Sequence, residues 1–132
     1  MEEKAARIPK VLIVEDEPLI RLLLEQTLDE YEGQGLAIMS AEDGIEAVEV
    51  IARERPELVF LDVMMPKMNG FEVCRIVKQQ MGMKDVCIVM LTAKGQEQDK
   101  KKAREAGSDH YITKPFSVQE VAAKVSEVLK LT

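Results

Sequence analysis

The chain is short of the residues from which metal clusters, disulfide scaffolds and membrane spans are built, and each shortage removes a class of function. It has one histidine, His110, so an imidazole-rich metal centre cannot be assembled from it. Its two cysteines, Cys74 and Cys87, lack the CxxC spacing of a redox or zinc motif and read as buried structural thiols. No apolar run approaches the roughly 20 residues that span a bilayer, and Met1 to Lys10 lacks the apolar core of a secretory signal. The expected location is therefore the cytoplasm. Basic excess is missing too. The formal charge is -6, which argues against holding nucleic acid or an acidic membrane through the surface at large.

What is present suits one globular domain: 132 residues, 32% charged and 46% hydrophobic. Residues 1–9 read as a polar extension set off by Pro9, and residues 10–131 as the domain. Lys10 to Val14 is a strand of the kind buried on both faces, running into Glu15-Asp16-Glu17-Pro18. Pro18 suits a first helical position, and a helix follows from about Leu19 to Tyr31, with Ile20, Leu23, Leu24, Thr27, Leu28 and Tyr31 at helical spacing before Gly33 and Gly35. Leu36 to Met39 is a short second strand. Asp43 is placed to cap a second helix whose face is marked by Ile45, Val48 and Ala52, stopped between Arg53 and Pro56.

The third strand, Leu58 to Asp62, is four apolar residues ending on a lone carboxylate. Pro66 and Asn69-Gly70 then turn the chain into a third helix carrying Phe71, Cys74, Val77 and Met81, broken at Gly82. Val86 to Leu91 is a fourth strand, ending in Thr92-Ala93-Lys94. Between Gly95 and Gly107 only Ala103 and Ala106 are apolar, so a helix there should be loosely held. Asp109 to Thr113 is a fifth strand before Lys114-Pro115-Phe116, and Val118, Val121, Ala122, Val125, Val128 and Leu129 line the last helix. Five strands alternating with five helices imply an α/β, doubly wound parallel sheet, commonly of order 2-1-3-4-5, with helices on both faces.

That topology brings Glu15, Asp16 and Asp62 to one sheet edge, with Thr92 and Lys114 ending the next two strands beside them. Singly, each has a plain structural role as turn former, cap, satisfied hydroxyl or solvated charge. Together they are costly. At an effective dielectric of about 20, each like-charge pair about 4 Å apart costs on the order of 4 kcal/mol. A hard divalent cation relieves that cost, and Mg²⁺ needs few protein carboxylates because it keeps waters. A cation flanked by an ammonium and a hydroxyl suits a phosphoryl group, and the Asp62 carboxylate can itself be the nucleophile.

The motifs Val14-Glu15-Asp16-Glu17-Pro18, Phe60-Leu61-Asp62-Val63-Met64-Met65-Pro66, Leu91-Thr92-Ala93 and Thr113-Lys114-Pro115-Phe116 resemble, in order and spacing, those of receiver domains of bacterial two-component response regulators. The resemblance covers roughly Pro9 to Leu131. It implies a switch in which Asp62 accepts a phosphoryl group from a histidine kinase or histidine phosphotransfer protein. It implies Mg²⁺, or Mn²⁺ in its place, on Glu15, Asp16, Asp62 and the backbone carbonyl of Met64. It further implies Lys114 against the phosphoryl group, a cis peptide before Pro115, Thr92 and Tyr111 as switch residues, and an output surface on the fourth helix, fifth strand and fifth helix. Such a domain is regulatory rather than an enzyme, although it assists its own phosphorylation and dephosphorylation.

Glu15 stands where many relatives carry aspartate. Met64 and Lys94 occupy the positions two residues beyond Asp62 and Thr92 that influence phosphoryl lifetime in this family, and an apolar Met64 offers nothing to orient an attacking water. His110 is expected at a structural or surface position, Lys100-Lys101-Lys102 on a solvated helix face, and Met64, Met65 and Met68 in loop packing. A haloacid-dehalogenase-type phosphatase would need DxDxT after the first strand, which Glu15 to Leu19 does not provide. A flavodoxin would need a hydroxyl- and glycine-rich loop there. The chain stops soon after the fifth helix, which leaves open a stand-alone regulator acting on a protein target and a receiver with a tethered effector. A phosphorylation-dependent dimer through the output face is a further family expectation.

Overall fold

In the computed structural model, residues 8–32, 35–93 and 97–129 are described, without the side chains of residues 30–32 and 97. The expectations for residues 1–7, the Tyr31 side chain, Gly33, Lys94 and Gly95 lie outside the described residues. The elements are β1 (Lys10–Val14), α1 (Pro18–Glu32), β2 (Ala37–Ala41), α2 (Gly44–Glu54), β3 (Leu58–Asp62), α3 (Gly70–Arg75, continued by a π-helical turn over Ile76–Gln80), β4 (Cys87–Ala93), α4 (Glu97–Ala106), β5 (His110–Lys114) and α5 (Val118–Leu129). All strand pairs are parallel, in the order β2-β1-β3-β4-β5. Among the described residues no helix is long and apolar enough to cross a membrane.

The alternation of side chains along each buried strand builds two cores, one on each face of the sheet. Leu12, Val14, Val59, Leu61, Ile88 and Met90 face one way and meet Ala47 and Ile51 of α2, Val73 and Cys74 of α3, and Ala103 and Ala106 of α4. Val11, Ile13, Leu58, Phe60, Val89, Leu91 and Ile112 face the other way and meet Leu24 and Leu28 of α1 and Val121 and Val125 of α5. Three helices therefore cover one face and two the other.

Several local expectations are displaced. β2 begins one residue later than expected and runs on through Ala41, because Ala37 donates its amide to the Pro9 carbonyl and takes up register with Lys10. β4 begins at Cys87 rather than Val86 and includes Thr92 and Ala93, and β5 is shifted one residue to include Lys114. On α2 the large residues mislead. Ile45 is 45% exposed, whereas Gly44, Ala47, Val50 and Ile51 are buried. Close approach explains the small residues: a Cβ on Gly44 would stand 2.2 Å from the Met68 carbonyl oxygen.

On α3, Phe71 and Met81 are only half-buried, while Val73 and Lys78 are buried. The π turn, in which the Met81 amide reaches back to the Ile76 carbonyl, shifts the helix phase and brings Lys78 inward. There Lys78 Nζ donates to the carbonyls of Lys84 and Val86 and pairs with Asp109 at 2.9 Å. Asp43 caps α2 as expected, its carboxylate accepting from the Glu46 amide.

Candidate functional site

β1 and β3 lie side by side at the point where the strand order reverses, and their C-terminal ends carry the acidic residues. Carboxylate oxygens of Glu15, Asp16 and Asp62 all lie within 4.8 Å of one another. Glu15 and Asp62 are buried, and Asp16 is exposed. β4 and β5 continue the edge, with Leu91 in register with Asp62, Thr92 with Thr113, and Ala93 with Lys114. Lys114 Nζ stands 3.0 Å from Asp62 Oδ1 and 3.1 Å from Glu15 Oε1. The Lys114–Pro115 peptide is cis. Thus Glu15, Asp16, Asp62 and Lys114 meet in one cleft, with Thr92 on the adjoining strand.

The loop after β3 is shaped by tight backbone contact. The Met68 amide donates to the Pro66 carbonyl across Lys67, which has a φ of 71°. Lys67 reaches Asp43 at 3.4 Å. Asn69 then caps α3 in a reciprocal box with Glu72. Gly70 is required there, since a Cβ would lie 2.3 Å from the Asp62 carbonyl oxygen. The loop thereby folds back under Asp62 and leaves Met64, 75% exposed, at the mouth of the cleft. The Met64 amide lies 3.4 Å from Asp62 Oδ1.

Burial, and then the nearby Asp62 charge, push the Glu15 carboxyl up to about 7, against the opposing pull of Lys114. Burial works against the Lys114 charge, but Asp62 and Glu15 outweigh it and its pKa is raised. One ammonium between two carboxylates leaves the cleft short of positive charge. Thr92 Oγ1 is buried with no hydrogen-bond partner among the described residues, and the buried Glu15 Oε1 has the Lys114 ammonium as its neighbour. Hard oxygen donors and uncompensated negative charge fit a small divalent cation of the magnesium type. The cleft holds about 350 Å³ and is also lined by Glu17, Val63, Leu91, Ala93 and Asp99. A larger hollow of about 430 Å³ between α1 and β2 contains none of these groups, so chemistry rather than size identifies the site.

Asp99, from α4, was not singled out by the sequence. It lies in a polar stretch that reads only as a weakly packed helix, and nothing local links it to the edge. Tyr111 on β5 is 38% exposed, with Lys100 Nζ 5.3 Å from its ring centre. It does not line the cleft. Burial pushes both cysteine thiols up to about 11, and Cys74 Sγ donates to the Ala106 carbonyl.

Residues 11–126 match the response regulator receiver domain. The chain is 46% identical over 121 residues to the alkaline phosphatase synthesis transcriptional regulatory protein PhoP of Bacillus subtilis, an alignment covering 92% of this chain and 48% of that protein. It spans about half the length of the curated relatives it matches. Among solved structures, the receiver domain of Francisella response regulator 1452 is 30% identical, with a TM-score of 0.78 over 92% of this chain and 97% of that one. The receiver domain of sensor histidine kinase PA1611 from Pseudomonas aeruginosa PAO1, solved with a magnesium ion coordinated in its active site cleft, is 26% identical. Its TM-score is 0.82, over 95% of this chain and all of that one, 100%. Fold, acidic edge and sequence agree: the chain belongs to the response regulator receiver domain family, whose members are phosphorylation-activated switches of two-component systems.

Proposed function

We propose that Asp62 is the phosphoacceptor of this domain, served by a phosphohistidine on a histidine kinase or phosphotransfer protein. The observation that carries this assignment is the meeting of Asp62 with Lys114 at 3.0 Å inside a cluster of three carboxylates. A carboxylate oxygen of Asp62 attacks phosphorus, forming a P–O bond as the P–N bond breaks. The electron pair leaves on the imidazole, which takes a proton from solvent. Lys114 exchanges its contact with the carboxylate for one with the phosphoryl oxygens, and Thr92 supplies a hydroxyl donor from the next strand. Glu15, Asp16, Asp62 and the Met64 carbonyl would hold Mg²⁺, or Mn²⁺ in its place; bound there, the ion neutralises charge developing on the phosphoryl oxygens.

The output surface in this assignment is α4, β5 and α5, with Thr92 and Tyr111 changing position together. Its target is a protein partner or an effector tethered to the domain, reached in the cytoplasm, and a phosphorylation-dependent dimer is one form the output can take. Direct contact with nucleic acid by this domain is not part of the assignment, given the formal charge of -6. The test is incorporation of phosphate from a small phosphodonor such as acetyl phosphate. Labelling should require Mg²⁺ and disappear in Asp62→Asn; labelling that persists in that variant refutes the site.

A further inference from the structure

We propose that the first turns of α4 couple the two ends of the switch: Asp99 senses charge at Asp62, and Lys100 holds the Tyr111 ring outward. The proposal rests on the assignment of Asp62 as the phosphoacceptor and names two positioning residues that the assignment does not require. Asp99 and Lys100 are adjacent in sequence but meet different groups. Asp99 lines the cleft with Asp62 and Lys114. Lys100 stands over the Tyr111 ring at 5.3 Å, within the range of a cation–π contact.

The two ends of α4 are held unequally. Towards the C-terminus, Ala103 and Ala106 are fully buried. Gln79 Nε2 donates to the carbonyls of Glu105 at 3.3 Å and Ala106 at 3.5 Å, and the Ser108 amide closes the end on the Ala103 carbonyl. Among the described side chains of the N-terminal half, Gln98 to Lys102, none is buried. A helix anchored in this way pivots about its C-terminal end, so the residues that move furthest are those facing the cleft and Tyr111.

Charge supplies the push. With Mg²⁺ present before and after, so that the ion's own charge is the same in both states, phosphorylation replaces the single charge of the Asp62 carboxylate by an acyl phosphate carrying about two. Glu15, Asp16 and Glu17 already crowd the same cleft as Asp99, with Lys114 the one cation among its lining residues. Added negative charge at Asp62 repels Asp99, swings the N-terminal end of α4 outward and lifts Lys100 from the ring. Tyr111 is then free to turn from solvent towards β4, the strand with which it is paired at Met90. With Lys100 in place, the outward ring is favoured and the unphosphorylated domain stays off.

The chain has no tryptophan and two tyrosines, so Tyr31→Phe leaves Tyr111 as the sole tyrosine fluorophore. In that background, acrylamide quenching reads the exposure of Tyr111, and acetyl phosphate with Mg²⁺ gives the phosphate incorporated in the same sample. Before phosphorylation, Lys100→Gln is expected to move the quenching part of the way to the phosphorylated value, shifting the inward-to-outward ratio about two- to five-fold, the weight of an exposed cation–π contact. Lys101→Gln, on an exposed neighbour, is the control and should not move it. Asp99→Asn is expected to diminish the Tyr111 response per phosphate incorporated. Equal behaviour of Lys100→Gln and Lys101→Gln, or an undiminished response in Asp99→Asn, overturns the coupling. Absence of incorporation in the parent protein instead overturns the Asp62 assignment, and with it the Asp99 half, while the Lys100 comparison is still decided without phosphate.

Discussion

Glu15 is the residue at which the cost of the site is concentrated. Its folded carboxyl holds a proton up to about 7, against an ordinary value of 4.5, because it is buried beside Asp62. Between those two values the folded state binds more protons than the unfolded one, so this group's contribution to stability falls as pH rises and has fully fallen above the upper value. Metal-free protein, held with a chelator, is thus expected to unfold at higher denaturant at about pH 5.5 than at about pH 8, and Glu15→Gln should flatten that slope. Equal slopes in the two proteins would show that Glu15 is not the titrating group. Met64 offers a second test at this scale. It stands at the cleft mouth, 75% exposed, and has no polar group to hold an attacking water. Met64→Asn supplies one, so phosphorylated protein should lose its label several-fold faster, as followed by the decay of bound phosphate.

At the scale of the element, what was legible in the sequence and what was not divide along physical lines. β1 and β3 were legible because strands buried on both faces are continuous apolar runs, and the carboxylates at their ends pointed to a candidate site once the topology set the two strands side by side. α4 was legible as weakly packed, and it buries only Ala103 and Ala106 among its described residues. The α2 face was misjudged because large residues attract notice, while the buried face also uses the small Gly44 and Ala47, and Gly44 admits the Met68 backbone. The π turn of α3 left no signal in the periodicity, and neither did the inward Lys78 that goes with it, whose partners Asp109 and the carbonyls of Lys84 and Val86 lie outside the helix. Asp99 was not legible either, since its place in the cleft lining depends on where α4 packs. These local devices differ in weight. Lys78→Met should lower stability by about 2–3 kcal/mol, because carbonyls that accept from a charged donor lose it. Asn69→Ala removes only an exposed cap and should cost about 1 kcal/mol. Urea unfolding of both variants ranks them, and the reverse ranking would show that the buried amine contributes less than the exposed cap.

For the molecule as a whole, a cation bound at the acidic edge would tie global stability to its concentration. Both cores pack against the same sheet, and Asp62 and Glu15 are continuous with the buried runs of β3 and β1, so the geometry an ion would need on these carboxylates exists in the folded state. Unfolded, Glu15, Asp16 and Asp62 have no common geometry, and by mass action an ion at about 100 times its dissociation constant adds about 2.7 kcal/mol. For a domain of this length that corresponds to a rise in melting temperature of roughly 10 °C. Because the ion replaces the proton on Glu15, Mg²⁺ should also abolish or reverse the pH slope expected of the metal-free protein. Melting curves across a Mg²⁺ titration at constant ionic strength separate this from general screening, which acts weakly on buried groups. Asp62→Asn should shift the titration to higher Mg²⁺ by removing one charged ligand. A melting temperature that responds equally to Mg²⁺ and to sodium at matched ionic strength would mean that the three carboxylates do not act as a metal site.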